Sequence, residues 1–146
     1  MDLAARVRDG TLHGSAVALD PGRGVLILGQ SGKGKSALAL ALMAYGAHLV
    51  ADDRVILAAK DGHVAARAPA TIAGRIEARG IGILKADALP ECQLRLVVDL
   101  DEEAQKRIPD AASARFHDLA IPLISAVPHA YFAAAVLHAL KYPPSS

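Results

Sequence analysis

One stretch of this sequence has the composition of a polyphosphate cradle: Gly29-Gln30-Ser31-Gly32-Lys33-Gly34-Lys35-Ser36. It satisfies the spacing G-x-x-x-x-G-K-[ST], the P-loop pattern. Glycines let the backbone turn its N–H groups inward around phosphate oxygens, and the N-terminus of the following helix adds partial positive charge. Lys35 is placed to neutralise the β and γ oxygens, and the Ser36 hydroxyl to ligate Mg²⁺. Lys33 is a second cation in the loop; it reads as an exposed charge or as a further phosphate contact. No N-K-x-D guanine signature occurs, so the nucleotide leans toward ATP.

Binding alone is not chemistry, which needs a carboxylate to hold metal or to deprotonate the attacking group. Two candidates end apolar runs: the pair Asp52-Asp53, and Asp99 after Leu94-Arg95-Leu96-Val97-Val98. Asp99 has the plainer Walker B pattern. The adjacent aspartates are the more unusual feature, because neighbouring like charges call for a cation or a shifted pKa. On residue patterns alone both remain open.

The elements that must position these groups are legible as alternations and runs. Leu12 to Leu19 reads as a strand closed by Asp20-Pro21-Gly22, and Gly24 to Leu28 as a short buried strand. Ser36 to Tyr45 reads as a helix stopped by Gly46, and His48 to Ala51 as a strand running into Asp52-Asp53. Asp61-Gly62 between Arg54–Lys60 and His63–Ala68 predicts a tight hairpin. Pro69 to Leu89 is glycine-punctuated and reads as irregular; Leu94 to Leu100 is another buried strand. Asp101 to Asp118 reads as a mobile polar excursion, Leu119 to Val127 as one more strand, and Ala130 to Lys141 as a packing helix. The hairpin forces antiparallel pairing, so the expected class is α/β with a mixed sheet rather than regular βαβ alternation.

Composition narrows the setting. The 146 residues fit one domain, 1–146, with 143–146 as a flexible tail; 53% are hydrophobic, but Trp is absent and only three Tyr and two Phe occur, so the core is aliphatic. A net charge of +1 without a basic run offers no electrostatic case for nucleic acid. The single Cys92 excludes an internal disulfide framework, and no CxxC or HExxH suggests zinc. The charged N-terminus is unlike a secretory leader, and Tyr131 to Leu140 is too short to span a bilayer. A cytoplasmic protein with no membrane partner is expected.

The chain resembles the catalytic domain of the HPr kinase/phosphorylase family, bacterial enzymes that use ATP to phosphorylate a serine of the phosphocarrier protein HPr. The resemblance runs from about Leu12 to the C-terminal helix. It rests on His13-Gly14, the loop ending Gly34-Lys35-Ser36, Leu49-Val50-Ala51-Asp52-Asp53, and Ile76-Glu77-Ala78-Arg79-Gly80-Ile81-Gly82-Ile83. The last is the most diagnostic, since no general P-loop rule calls for it. The resemblance implies a P-loop nucleotide-binding fold of phosphoenolpyruvate carboxykinase-like architecture, with ATP and Mg²⁺ as cofactors. It matches Asp53 to the catalytic aspartate that removes the serine proton, His13 to the active-site histidine beside it, and Glu77 to the glutamate that joins Ser36 on magnesium. Arg107, in a loosely aligned stretch, matches an arginine acting on the transferring phosphoryl group. HPr or a nitrogen-branch paralogue is the implied partner, and a homo-oligomer, commonly a hexamer, the implied assembly.

Two departures stand out. Longer members carry a separate N-terminal domain for which no residues are available here. The family's late segment with two arginines, tied to reverse phosphorolysis, is replaced by Ile121-Pro122-Leu123-Ile124-Ser125-Ala126-Val127-Pro128-His129. A protein serine kinase with weak reverse activity is therefore expected. The competing readings are a small-molecule P-loop kinase and a non-catalytic nucleotide-sensing module.

Overall fold

In the computed structural model, which describes residues 1–143, a short 3-10 turn at Ala4–Arg6 precedes β1 (Leu12–His13) and β2 (Ser15–Asp20), a single run broken only at Gly14. β3 (Arg23–Leu28) returns antiparallel to β2 and leads through the glycine loop into α1 (Lys35–Ala44). β4 (His48–Ala51) and β5 (Arg54–Lys60) form a second run, broken at Asp52-Asp53, and β6 (His63–Arg67) completes the hairpin at Asp61-Gly62. Then come β7 (Arg75–Ala78), β8 (Gly82–Lys85), the long β9 (Cys92–Glu103), β10 (Ser113–Phe116), β11 (Leu119–Ala126) and α2 (Phe132–Lys141). The sequence-based tail over 143–146 lies, apart from Pro143, outside the described residues.

The main sheet has nine strands in the path β1-β5-β6-β9-β3-β2-β4, with β11 on β9 and β10 on β11; β7 and β8 pair separately. β9 is central, because Val97 to Asp99 pairs with β3 and with β11, both in parallel. Other pairings are antiparallel, so the sheet is mixed as expected. The two broken runs form one antiparallel ribbon: Leu12 opposes Val55, His13 opposes Arg54, Gly14 donates to the Asp53 carbonyl at 3.1 Å, and Ala16 opposes Ala51. This ribbon brings the His13 side chain near Asp53 and the Ser15 hydroxyl onto Asp52.

Apolar side chains leave the sheet on both faces, which is why β3 reads as a continuous apolar run. Leu26 and Leu28 join one core with Leu3, Leu12, Val50 and Phe116; Val25 and Ile27 join the other with Leu42 of α1 and Leu137 of α2. α1 stops as its sequence demands: Gly46 has φ +108°, Ala47 N–H reaches the Leu42 carbonyl at 3.1 Å and Gly46 N–H the Met43 carbonyl at 3.0 Å.

Two expectations need correction. Pro69 to Leu89 contains the β7–β8 hairpin, turned at Arg79–Ile81 where Gly80 takes φ +85°. Its signal was weak because β8 is exposed throughout and shows no alternation, although β7 alternates exposed and buried. The polar stretch Asp101 to Asp118 is not one excursion, since β9 continues to Glu103 and β10 forms at Ser113–Phe116 against β11. A polar sequence suits those strands because most of their residues there face solvent.

Candidate active site

The glycine loop opens onto a cleft of about 470 Å³ that receives residues from four parts of the chain. Gly32, Gly34, Lys35 and Ser36 come from the loop and α1, His13 and Ser15 from the β1–β2 run, Asp53 from the β4–β5 turn, and Glu77 to Ile81 from the β7–β8 hairpin. Gly34 sits at φ +98°, a conformation that favours glycine, and from it the chain enters α1.

Lys35 is buried, and its ammonium donates to the carbonyls of Gly29 at 2.7 Å and Gln30 at 3.2 Å. These bonds hold the amine inside the loop where a phosphate would lie. Burial lowers its pKa below the ordinary lysine value, an effect partly offset by the carboxylates of Asp53, Asp101 and Asp52. A phosphate arriving in the loop adds negative charge beside the ammonium and works in the same direction as those carboxylates.

The adjacent aspartates have different environments. Asp52 is buried, and its Oδ1 accepts from the hydroxyls of Ser15 and Ser36, each at 2.8 Å, while its Oδ2 accepts from the Glu77 backbone N–H at 3.2 Å. One carboxylate thus ties together β2, α1 and β7. Asp53 is 69% exposed, at φ +73°, and Arg54 N–H donates to the Asp52 carbonyl at 2.9 Å to close a tight turn around it. Aspartate tolerates this left-handed backbone better than most side chains. The His13 Nδ1 lies 4.0 Å from the Asp53 Oδ1. Gly14 makes the junction possible, because a Cβ there would lie 2.9 Å from the Ile27 carbonyl oxygen.

Asp99 is buried within β9 rather than at its end, and accepts from Asp101 N–H at 2.9 Å. Asp101 in turn accepts from Gln30 N–H at 3.0 Å. The pair buttresses the loop from behind without lining the main cleft. Lys33 is exposed and belongs to neither relay. Arg107 lies on the exposed stretch between β9 and β10, outside the residues that line the cleft. Sequence reasoning passed over Asp52 as a hub, and Asp101 altogether. The available signal for Asp52 was the serine pair at Ser15 and Ser36, whose meeting requires the ribbon register.

Among the described residues no group of three or more His, Cys, Asp or Glu is gathered for a metal ion. The donors that do converge are all oxygen: the Ser36 hydroxyl, Asp52 behind it and the exposed Glu77 on the rim. Such a set fits Mg²⁺, which takes few protein ligands and fills its shell with water and substrate phosphates. Cys92, by contrast, is buried in the core, and burial with the neighbouring Glu91 pushes its thiol up to about 12.

Comparison with known proteins gives a consistent picture. Residues 4–121 match the family model described as the HPr Serine kinase C-terminal domain. The chain is similar to proteins named HPr kinase/phosphorylase: it is 35% identical to that of Mycoplasmopsis pulmonis over 103 residues, covering 66% of this chain and 33% of that protein. It is 39% identical to that of Clostridium beijerinckii over 97 residues, covering 62% of this chain and 32% of that protein. The chain therefore spans about a third of these relatives' length. In fold it is similar to the Hpr(Ser) kinase/phosphatase from Coxiella burnetii, with a TM-score of 0.74 and 23% identity over 90% of this chain and 93% of that one.

Proposed function

The chain belongs to the HPr serine kinase C-terminal domain family, and from that premise we propose that it is an ATP-dependent protein serine kinase acting on HPr or a nitrogen-branch paralogue. The observation that carries the reading is the ribbon that sets an exposed carboxylate, Asp53, beside His13 and at the mouth of a cleft floored by Lys35 and Ser36. A pure nucleotide sensor has no use for an exposed carboxylate held in a left-handed turn at that place.

In this reading the loop 29–36 binds the triphosphate through backbone N–H groups, and Lys35 neutralises its β and γ oxygens. Ser36 and Glu77 would hold Mg²⁺, which when bound would supply electrostatic stabilisation of the phosphate charge. Asp52 aligns Ser36 by accepting a hydrogen bond from its hydroxyl, which would leave that oxygen's lone pairs for the metal. Asp53 accepts the proton of the substrate serine as its oxygen bonds to the γ-phosphorus and the bridge to ADP breaks; His13 steadies that carboxylate. Arg107, assigned to the transferring phosphoryl group, would have to approach from outside the cleft.

The late segment Ile121 to His129 contains no arginine to hold an attacking phosphate, so reverse phosphorolysis is slow relative to the forward reaction. No helix among the described residues is long and apolar enough to cross a membrane. A cytoplasmic homo-oligomer, a hexamer in the family's manner, completes the reading. Incubating the protein with γ-labelled ATP, with and without HPr, tests it. Label on a seryl side chain of HPr supports the kinase; nucleotide binding with no transfer to the carrier contradicts it.

A further inference from the structure

The cleft beside the glycine loop is not polar throughout. α1 and the β7–β8 hairpin contribute Ala37, Leu40, Ala78 and Ile81 to its lining. Ala37 and Leu40 are three positions apart and so share a face of α1. With the usual rise per residue, Leu40 lies about 6 Å along the helix axis beyond Ser36. The polar side chains of the cleft have roles in the kinase reading; these apolar ones have none.

Resting on that reading, we propose that Ala37, Leu40 and Ile81 form an apolar subsite for the base of the bound nucleotide, which takes a purine by surface contact and does not read its hydrogen-bonding edge.

Continuity with the phosphate loop names the occupant. The reading puts the γ-phosphorus at Asp53, so the nucleoside at the other end of the triphosphate must leave the loop elsewhere. The face of α1 beyond Ser36 belongs to the same cleft and has the apolar lining that ring systems favour. Leu40 packs half-buried against the core beneath α1, which fixes the floor. Ile81 is the opposite case, an aliphatic side chain 78% exposed at the rim. It stands between Gly80 at φ +85° and Gly82 at φ +140°, so the turn presents this one side chain. Covering it with a flat ring removes apolar surface from water. Arg79 beside it forms no ion pair among the described residues, and a planar guanidinium stacks on ring faces.

Edge recognition would need donors and acceptors that this part of the cleft lacks. The chain contains no asparagine, and none of its three glutamines, Gln30, Gln93 and Gln105, lines the cleft. The Ile81 N–H is already committed to the Ala78 carbonyl at 2.9 Å. The cleft's carboxylates, Asp53 and Glu77, belong to the transfer and the metal in the reading above.

The test measures binding of AMP-PNP, GMP-PNP and tripolyphosphate to the full chain, with Mg²⁺ in every arm. Tripolyphosphate offers the phosphates without a base. Both nucleotides are expected to bind about tenfold or more tighter than tripolyphosphate, and within about tenfold of each other, because contact alone separates similar rings weakly. Ile81→Ser, at an exposed position, should weaken both nucleotides about threefold or more and leave tripolyphosphate unchanged. Tripolyphosphate binding as tightly as AMP-PNP would overturn the subsite. So would an Ile81→Ser variant that binds the nucleotides like the parent, or one that loses tripolyphosphate to the same extent. A preference above tenfold for either purine would show that its edge is read, against the proposal. If neither nucleotide nor tripolyphosphate binds, the kinase reading itself falls and the subsite with it.

Discussion

One wall of the cleft beside the glycine loop is buried and fully bonded, and another is open. On the first, Asp52 takes hydrogen bonds from Ser15, Ser36 and the Glu77 backbone, and Lys35 is clamped by two loop carbonyls. On the second, the β7–β8 hairpin presents Glu77, Arg79 and a 78% exposed Ile81 to solvent. The buried wall fixes where Lys35, Ser36 and Asp52 stand, because each of these polar groups has a partner whose loss leaves another group unsatisfied. The open wall holds side chains that can change position at little cost, which suits groups that must meet a ligand and release it. The division falls within a dipeptide: Asp52 belongs to the first wall, and Asp53 to the exposed mouth.

Changes in the two walls should therefore fail differently. The largest effect expected is from Lys35→Ala, which removes the charge at the β and γ oxygens; phosphoryl transfer is abolished and nucleotide binding weakened, as read by turnover and by ATP titration. Undiminished turnover would remove the P-loop from the mechanism. Next is Asp52→Ala, which strands the Ser15 and Ser36 hydroxyls. It should lower unfolding stability by about 2–4 kcal/mol in denaturant titration as well as impairing turnover. A variant as stable as the parent would show that the hub does not hold the wall together. Smallest is Glu77→Gln on the open wall. It should leave stability within about 0.5 kcal/mol but raise the Mg²⁺ concentration needed for half-maximal activity, since a hard cation loses an anionic oxygen. Magnesium titrations that overlay would exclude Glu77 from the metal.

Much of this arrangement was legible in the sequence, for specific reasons. The loop was, because its spacing is dictated by phosphate geometry and flanked by a strand and a helix of clear pattern. The Asp61-Gly62 hairpin and the Gly46 helix stop were, because each depends on a backbone conformation that few residues accept. The hub was not, because it arises from a register between residues 37 positions apart, Ser15 and Asp52. The β7–β8 hairpin was hidden by the exposure of β8, where both faces meet water and no periodicity survives.

Asp53, not Asp99, is the carboxylate proposed to take the proton of the substrate serine. Asparagine keeps the shape of each side chain and also tolerates the φ of +73° at position 53, so backbone strain does not confound the comparison. The decisive measurement is the rate of phosphoryl transfer from ATP to HPr by Asp53→Asn and Asp99→Asn, with ATP affinity measured alongside. Asp53→Asn is expected to lose about 10²–10⁴ in turnover with ATP affinity within a few-fold, and Asp99→Asn far less. The reverse order would contradict it and make Asp99 the catalytic acid–base group.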